Sequence, residues 1–259
     1  MKIQSLPTTR QPQPARRPAA APASAEPIDH CVIFGRGSQE IPAAIADVVR
    51  KPEVKLGGFP SKRWVVTPEI EAHHRNYVST APVEELRDGP RSELKTLIGP
   101  MLAARYTHTQ NLTVAELGAA TSTTVAENLA HGGNRYVSVD LSEPLAEKQI
   151  EFLKADGAEQ FWNVKGDTYA LPLQNDSCDL ILTSCHPPFV SSSVEDRKLA
   201  LDEVHRSLKP GGEFLLFPYD DTKQPQEFQT YLAERFEMVD KQLSPLGGDR
   251  YAVVLQKRA

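Results

Sequence analysis

The order of apolar runs predicts an α/β fold: a doubly wound, mostly parallel sheet with an elaboration ahead of it. Three observations carry that expectation. From Leu112 onward, strand-length apolar runs alternate with helix-length amphipathic segments, as parallel βα units require. Acidic or small residues stand where the runs end, at Glu116-Leu117-Gly118, Asp140-Leu141-Ser142 and Gly166-Asp167-Thr168. The last two runs, Phe236 to Leu243 and Arg250 to Gln256, are joined through Pro245-Leu246-Gly247-Gly248-Asp249, which reads as a hairpin.

A chain of 259 residues is long enough to bury a substantial core, and one large α/β domain plus an elaboration fits it best. Negative mean hydropathy and the lack of an apolar run of membrane-spanning length predict a soluble protein with no membrane role. Cys31, Cys178 and Cys185 have no zinc-like spacing and leave an odd thiol, so inert thiols in a reducing, cytoplasmic setting are expected. A net charge of -5 argues against a nucleic-acid backbone as the main partner.

Residues 1–27 are rich in Pro and Ala, carry Lys2, Arg10, Arg16 and Arg17, and have no acid before Glu26; they read as a disordered tail. The same make-up resembles organelle transit peptides and the leaders of secreted bacterial effectors. Residues 28–99 read as a lid or elaboration. Within them Cys31 to Phe34 is a strand, Gly35-Arg36-Gly37-Ser38 a turn and Ile41 to Val49 a helix, and Thr67-Pro68 pairs a cap with a first-turn proline. Gly35 to Ser38 lacks the Gly-Lys-Ser/Thr ending of a phosphate loop. Glu69 and His73 are spaced i, i+4, but neighbouring His74 diverges by about 100° on a helix, so no metal site is expected. A helix from Ser92 to Tyr106, striped by Leu94, Leu97, Ile98, Met101 and Leu102, leads into the core domain, residues 100–259.

The core opens with a strand from Leu112 to Leu117, a small-residue turn at Gly118-Ala119-Ala120 and a helix through Val125 and Leu129. Strands follow at Arg135 to Asp140 and Phe161 to Val164, with a helix from about Pro144 to Lys154 between them. Asp140 lies close to the roughly 20 residues beyond Gly118 expected of an acid that reads ribose hydroxyls. Next come a strand at Asp179 to Ser184, a helix at Leu199 to Leu208 closed by Lys209-Pro210-Gly211-Gly212, and a strand from Glu213 to Phe217. The proline stops the helix and the glycines return the chain.

These motifs, in this order, resemble the class I S-adenosylmethionine-dependent methyltransferases, whose sheet is Rossmann-like with an antiparallel final strand. The resemblance rests on Glu116-Leu117-Gly118, on Asp140, on Gly166-Asp167-Thr168 followed by Leu171-Pro172, and on Leu208-Lys209-Pro210-Gly211-Gly212. It covers Leu112 to the C-terminus. The family usually carries glycine at alternate positions of the first turn, whereas this chain has Gly118, Ala120 and Ser122. The resemblance implies that S-adenosyl-L-methionine is the cofactor. It places Glu116, Gly118, Ala119 and Ala120 around the amino-acid part, Asp140 on ribose with Leu141 beside it, Asp167 and Thr168 on adenine, and Ser184 beside the cofactor. A nicotinamide dinucleotide fits less well, because its pyrophosphate needs a G-x-G-x-x-G turn and Ala120 and Thr123 stand at the later positions.

Ser184-Cys185-His186-Pro187-Pro188-Phe189 follows the fourth core strand at the carboxyl edge and resembles the Asn-Pro-Pro-aromatic motif of amine methyltransferases, with histidine in place of asparagine. His186 is the candidate base. The expected function is methyl transfer to the oxygen or nitrogen of a small-molecule acceptor. Two other functions remain open, transfer to a protein amine and a non-catalytic interaction protein on an eroded cofactor site; oligomeric state is not legible.

Removing residues 1–27 is expected to leave the melting temperature essentially unchanged, since a Pro/Ala-rich tail has little apolar surface to bury. A thermal melt of the truncated chain that falls by several degrees would show instead that the tail docks.

Overall fold

The computed structural model describes residues 31–32, 41–50, 67–88, 94–158, 160–190, 193–245 and 247–258. The tail, the Gly35 to Ser38 turn and Phe34 lie outside the described residues.

An eight-stranded sheet organises the chain. In chain order the described strands and helices are β1 (Cys31–Val32), α1 (Pro68–Thr80), α2 (Val83–Asp88), α3 (Gly99–Tyr106), β2 (Thr113–Leu117), α4 (Thr124–Leu129), β3 (Arg135–Asp140), α5 (Glu143–Ala155), β4 (Phe161–Lys165), β5 (Cys178–Ser184), α6 (Pro187–Val190), α7 (Val194–Ser207), β6 (Leu208–Tyr219), α8 (Gln226–Arg235), β7 (Phe236–Leu243) and β8 (Tyr251–Lys257). Across the sheet the strands run β1-β4-β3-β2-β5-β6-β8-β7. All pairings are parallel except those of β8 with β6 and with β7. The order reverses at β2: β3 and β4 are laid down on one side of it, and β5 and β6 on the other.

The central strands are buried on both faces, which is why they read as continuous apolar runs. One face gathers Ala115, Leu117, Val137, Val139, Trp162 and Phe214, the other Val114, Tyr136, Phe161, Leu180 and Phe217. Helix termini follow local chemistry. The Ser193 hydroxyl caps α7 by accepting from the Asp196 amide at 3.2 Å, with Glu195 and Asp196 in the first turn and His205 and Arg206 in the last. The Thr67 hydroxyl likewise accepts from the Ile70 amide at 3.3 Å, with Pro68 in the first turn of α1, as expected.

Three elements differ from the sequence expectation, the first being the Ser92 to Tyr106 helix, which is described from Leu94 and is π-helical over Leu94–Ile98 before continuing as α3. Ile41 to Val49 forms only a three-residue 3₁₀ turn at Ala43–Ile45, because Val49 leaves the helical path to bridge Leu173 antiparallel. Ile45, Val48 and Val49 are fully buried in the same apolar cluster as Leu171 and Leu173. β6 begins at Leu208, earlier than Glu213, because Leu208 already pairs with Cys178 before the ladder shifts register and resumes at Leu180 with Glu213. The Gly211-Gly212 pair takes up that shift, with Gly211 at φ 74.

A chain of buried polar groups runs under the β2 turn. Asn163 donates to Gln149 Oε1 at 3.0 Å, and Gln149 Nε2 donates to the Ser122 carbonyl at 2.6 Å and to the Tyr136 hydroxyl at 3.2 Å. That hydroxyl donates to Glu116 Oε2 at 2.5 Å. Burial, then the Glu116 charge, pushes the Tyr136 phenol well above its ordinary pKa, so it remains a donor. Tyr136→Phe should cost about 1–3 kcal/mol, the penalty for leaving a buried polar group short of its partner. A urea unfolding midpoint equal to that of the parent protein would contradict this.

Candidate functional site

Because the strand order reverses at β2, the carboxyl ends of β2 and β5 lie side by side with Leu117 paired to Thr183, and the crevice above them is where open α/β sheets take ligands. A cavity of about 280 Å³ occupies it. Its walls include Gly118 after β2, Asp140, Leu141 and Ser142 after β3, Gly166, Asp167 and Thr168 after β4, and His186 after β5. Ile70 and His74 of α1 close it from the N-terminal side.

A second cavity of about 350 Å³ adjoins it, sharing His74 and Leu145, and is lined by Ala119, Ala120, Thr121 and Ser122 of the β2 turn with Tyr77 and Glu85. A larger hollow of about 550 Å³ lies at the opposite edge, between α3 and Lys209 to Glu213. There Lys209 is paired with Asp179, and Arg105 and Tyr106 with Glu213, so its charges satisfy one another.

The sequence-predicted residues divide into three groups. Gly118, Asp140, Leu141, Asp167, Thr168 and His186 line the first cavity. Ala119 and Ala120 line the second. Glu116 and Ser184 are 1% and 3% exposed and line neither, Glu116 being turned beneath the sheet onto Tyr136.

Asp140 accepts from the Ala120 amide at 3.0 Å through one oxygen and from the Ser142 amide at 2.9 Å through the other. With the Leu141 amide as a third backbone donor, the carboxylate still keeps part of its acceptor capacity for a ligand. Burial raises the Asp140 pKa, against the opposing pull of the Ser142, Ala120 and Leu141 amides. Asp167 is tied by its own loop, accepting from the Tyr169 amide at 3.0 Å. Gly166 is required here: a methyl group at that position would lie 2.6 Å from Pro172 Cδ, so the Leu171-Pro172 step packs directly on the glycine.

His186 sits at the centre. Its Nε2 is 2.5 Å from Thr168 Oγ1, and its ring covers Gly118, where a methyl group would collide with Nδ1 and lie 2.9 Å from Cε1. Gly118 is at φ 69, a second reason for glycine at that position. The chain reaches His186 through Cys185 at φ 52, and α6 begins immediately after it, with the Phe189 amide donating to the His186 carbonyl at 3.0 Å.

Sequence reasoning missed His74 as a cavity residue: it weighed the histidine pair as metal ligands, expected no metal site and left the pair on the lid. His74 Nδ1 lies 2.8 Å from Ser142 Oγ, and that hydroxyl makes no capping bond at the start of α5. The signal was the roughly 100° between adjacent helical positions, which takes His74 inward while His73 stays exposed. Lys165, 3.3 Å from Glu71 and 3.9 Å from Glu143, fastens the same helix to the sheet edge.

Burial lowers the His74 pKa below 6.5, against the raising effect of Asp140. A histidine with a lowered folded pKa binds fewer protons than the unfolded chain. Its contribution to stability is therefore complete above 6.5 and lost as pH falls through the folded value. Hydrogen-exchange protection of residues 68–80, corrected for the intrinsic rate at each pH, should fall more on acidification from pH 7.5 to 5 than protection of the core strands. His74→Gln should flatten that difference; an equal response in both proteins would remove His74 as its source.

A family model described as a methyltransferase domain matches residues 115–216. The human mitochondrial 2-methoxy-6-polyprenyl-1,4-benzoquinol methylase is 29% identical over 120 residues, 46% of this chain and 35% of its own length. The demethylmenaquinone methyltransferase of Clavibacter sepedonicus is 32% identical over 112 residues, 43% of each chain. The chain thus spans well under half the length of the curated relatives it matches. Among solved structures, the N-methyltransferase NodS of Bradyrhizobium japonicum, in complex with S-adenosyl-L-homocysteine, superposes with a TM-score of 0.57 at 13% identity, covering 73% of this chain and 98% of NodS. The PH0226 protein of Pyrococcus horikoshii gives 0.54 at 18% identity, over 71% and 99%. Residues 115–216 thus match a methyltransferase domain, and the sheet shares its fold with these solved structures.

Proposed function

We propose that this protein binds S-adenosyl-L-methionine in the crevice above β2 and β5 and transfers its methyl group to a small-molecule acceptor. The observation that carries this reading is the convergence of Asp140, Asp167-Thr168 and Gly118 from three different strand ends on one cavity. The donor set fits the ligand. The Asp140 carboxylate, held by backbone amides at the cavity wall with acceptor capacity left over, suits the hydroxyls of a ribose. Val139, Leu141 and Leu145 give apolar walls for a planar base, with Asp167 and Thr168 at the rim to meet its polar edge. The second cavity, with Ala119 and Ala120 on its wall, suits the amino-acid part. Glu116 acts from beneath by holding the turn in place through Tyr136, and Ser184, buried at the end of β5, precedes the Cys185-His186 turn that enters the cavity.

The cofactor supplies a sulfonium methyl that is open to in-line displacement. The chain contributes orientation and exclusion of water, through the closing helix α1 and the proline-stiffened loop after β5. Where the acceptor must lose a proton, His186 is the group on that side able to take it. Among the described residues ahead of the core, α1 covers the site through Ile70 and His74. The curated relatives are named for a polyprenyl benzoquinol and a demethylmenaquinone, which favours a small-molecule acceptor over a protein amine. No helix among the described residues is long and apolar enough to cross a membrane, and Cys178 and Cys185 are unbridged, which supports action in a reducing compartment such as the cytoplasm.

Calorimetric titration with S-adenosyl-L-homocysteine or S-adenosyl-L-methionine should give saturable binding, and Asp140→Ala should weaken it by about 1.5–3 kcal/mol, the worth of hydrogen bonds to a charged group. Absence of heat and of any thermal shift at millimolar ligand would favour a non-catalytic protein on the same fold.

A further inference from the structure

We propose that the His186 side chain is a gate: its imidazole occupies the passage that the cofactor must cross, and it swings toward the acceptor side when the cofactor binds. This rests on the cofactor reading above. The ring spans the crevice from the β2 turn to the loop after β4, lying against Gly118 at one end and within hydrogen-bond distance of Thr168 Oγ1 at the other. The residues assigned to ribose and base lie in the first cavity, and those assigned to the amino-acid part, Ala119 and Ala120, in the second. The cavities share His74 and Leu145, and Gly118 of the first adjoins Ala119 of the second in the β2 turn, so a ligand that follows this turn from one to the other passes over Gly118, where the ring leaves no room even for a methyl group.

The backbone cannot make the adjustment cheaply. Cys185 is already left-handed, Pro187 and Pro188 have fixed φ, and Phe189 is buried against Phe214 with ring centroids 5.4 Å apart. The movement is therefore a side-chain rotation at His186, which is half-exposed and gives up its bond to Thr168. With the ring in place the cofactor site is divided; with the ring turned out, the imidazole stands on the acceptor side beside Pro187. Cofactor therefore binds first and acceptor second, and the turned-out ring is delivered to the acceptor only when the cofactor is present. The closed state lowers apparent cofactor affinity by the fraction of molecules that are open.

The test is titration of the full chain and of His186→Ala with S-adenosyl-L-homocysteine, together with a crystal structure of the wild-type complex. The gate predicts binding about tenfold tighter in His186→Ala, as for a site open about one-tenth of the time. It also predicts that the complex has the wild-type imidazole displaced from Gly118. Wild-type binding with equal or weaker binding by a folded His186→Ala overturns the gate and leaves the cofactor reading intact. A wild-type complex with the ring still against Gly118 does the same, and does not depend on the variant folding. Failure of both proteins to bind overturns the cofactor reading and the gate with it.

Discussion

The side-by-side ending of β2 and β5 is the constraint on which the rest of the molecule depends. Two parallel neighbours whose crossover connections depart to opposite sides leave a gap above their carboxyl ends that neither crossover fills. Every group placed at that gap is delivered by a strand end: Gly118 by β2, Asp140 by β3, Asp167 and Thr168 by β4, His186 by β5. Their relative positions are set by ladder register and not by loop conformation, since Leu117 pairs with Val139 and with Thr183, and Asp140 with Lys165. A site built in this way is rigid at its base. Its freedom is confined to side chains and to what lies above.

The turn after β2 is held from two directions, which offsets its departure from a glycine-rich loop. Ala120 adopts φ 53, a conformation that costs a non-glycine residue roughly 1–2 kcal/mol. From above, Asp140 accepts from the Ala120 amide; from beneath, Gln149 Nε2 donates to the Ser122 carbonyl, as part of the chain of polar groups that includes Tyr136 and Glu116. Cys185 at φ 52 is the matching case after β5. Both strained residues flank the crevice, as is common where surrounding structure fixes a functional backbone.

The N-terminal residues bear on the site through two attachments. The 3₁₀ segment is buried in the main core, with the Arg50 amide donating to the Pro172 carbonyl at 3.0 Å, so it buttresses the loop carrying Asp167. Helix α1 has no fully buried residue; it is fastened by His74 to Ser142, by Glu71 to Lys165, and, through the following α2, by Arg87 to Asp156 at 2.5 Å. Polar attachment of this kind is weaker and more dependent on pH and salt than burial in a core, which suits a covering element.

The sequence by itself determined the α/β class, the alternation from Leu112 onward and the residues at the strand ends, because a strand buried on both faces must be apolar throughout and a strand end that meets a ligand must be polar or small. It also singled out Gly166 with Leu171-Pro172, a local packing contact recorded in adjacent residues. Only the tertiary structure decided which of these face the cavity. Glu116 and Asp140 look alike as strand-end acids, yet Glu116 stands one residue before the end of β2 and is buried on Tyr136, whereas Asp140 is the last residue of β3, at the open crevice. His74 entered the site from a helix 44 residues ahead of Gly118 in sequence, by a contact with Ser142 that no local pattern encodes. The ring of His186 over Gly118 is of the same kind: residues 68 apart in sequence meet because β2 and β5 are neighbours in the sheet, and that adjacency exists only once the strand order has reversed.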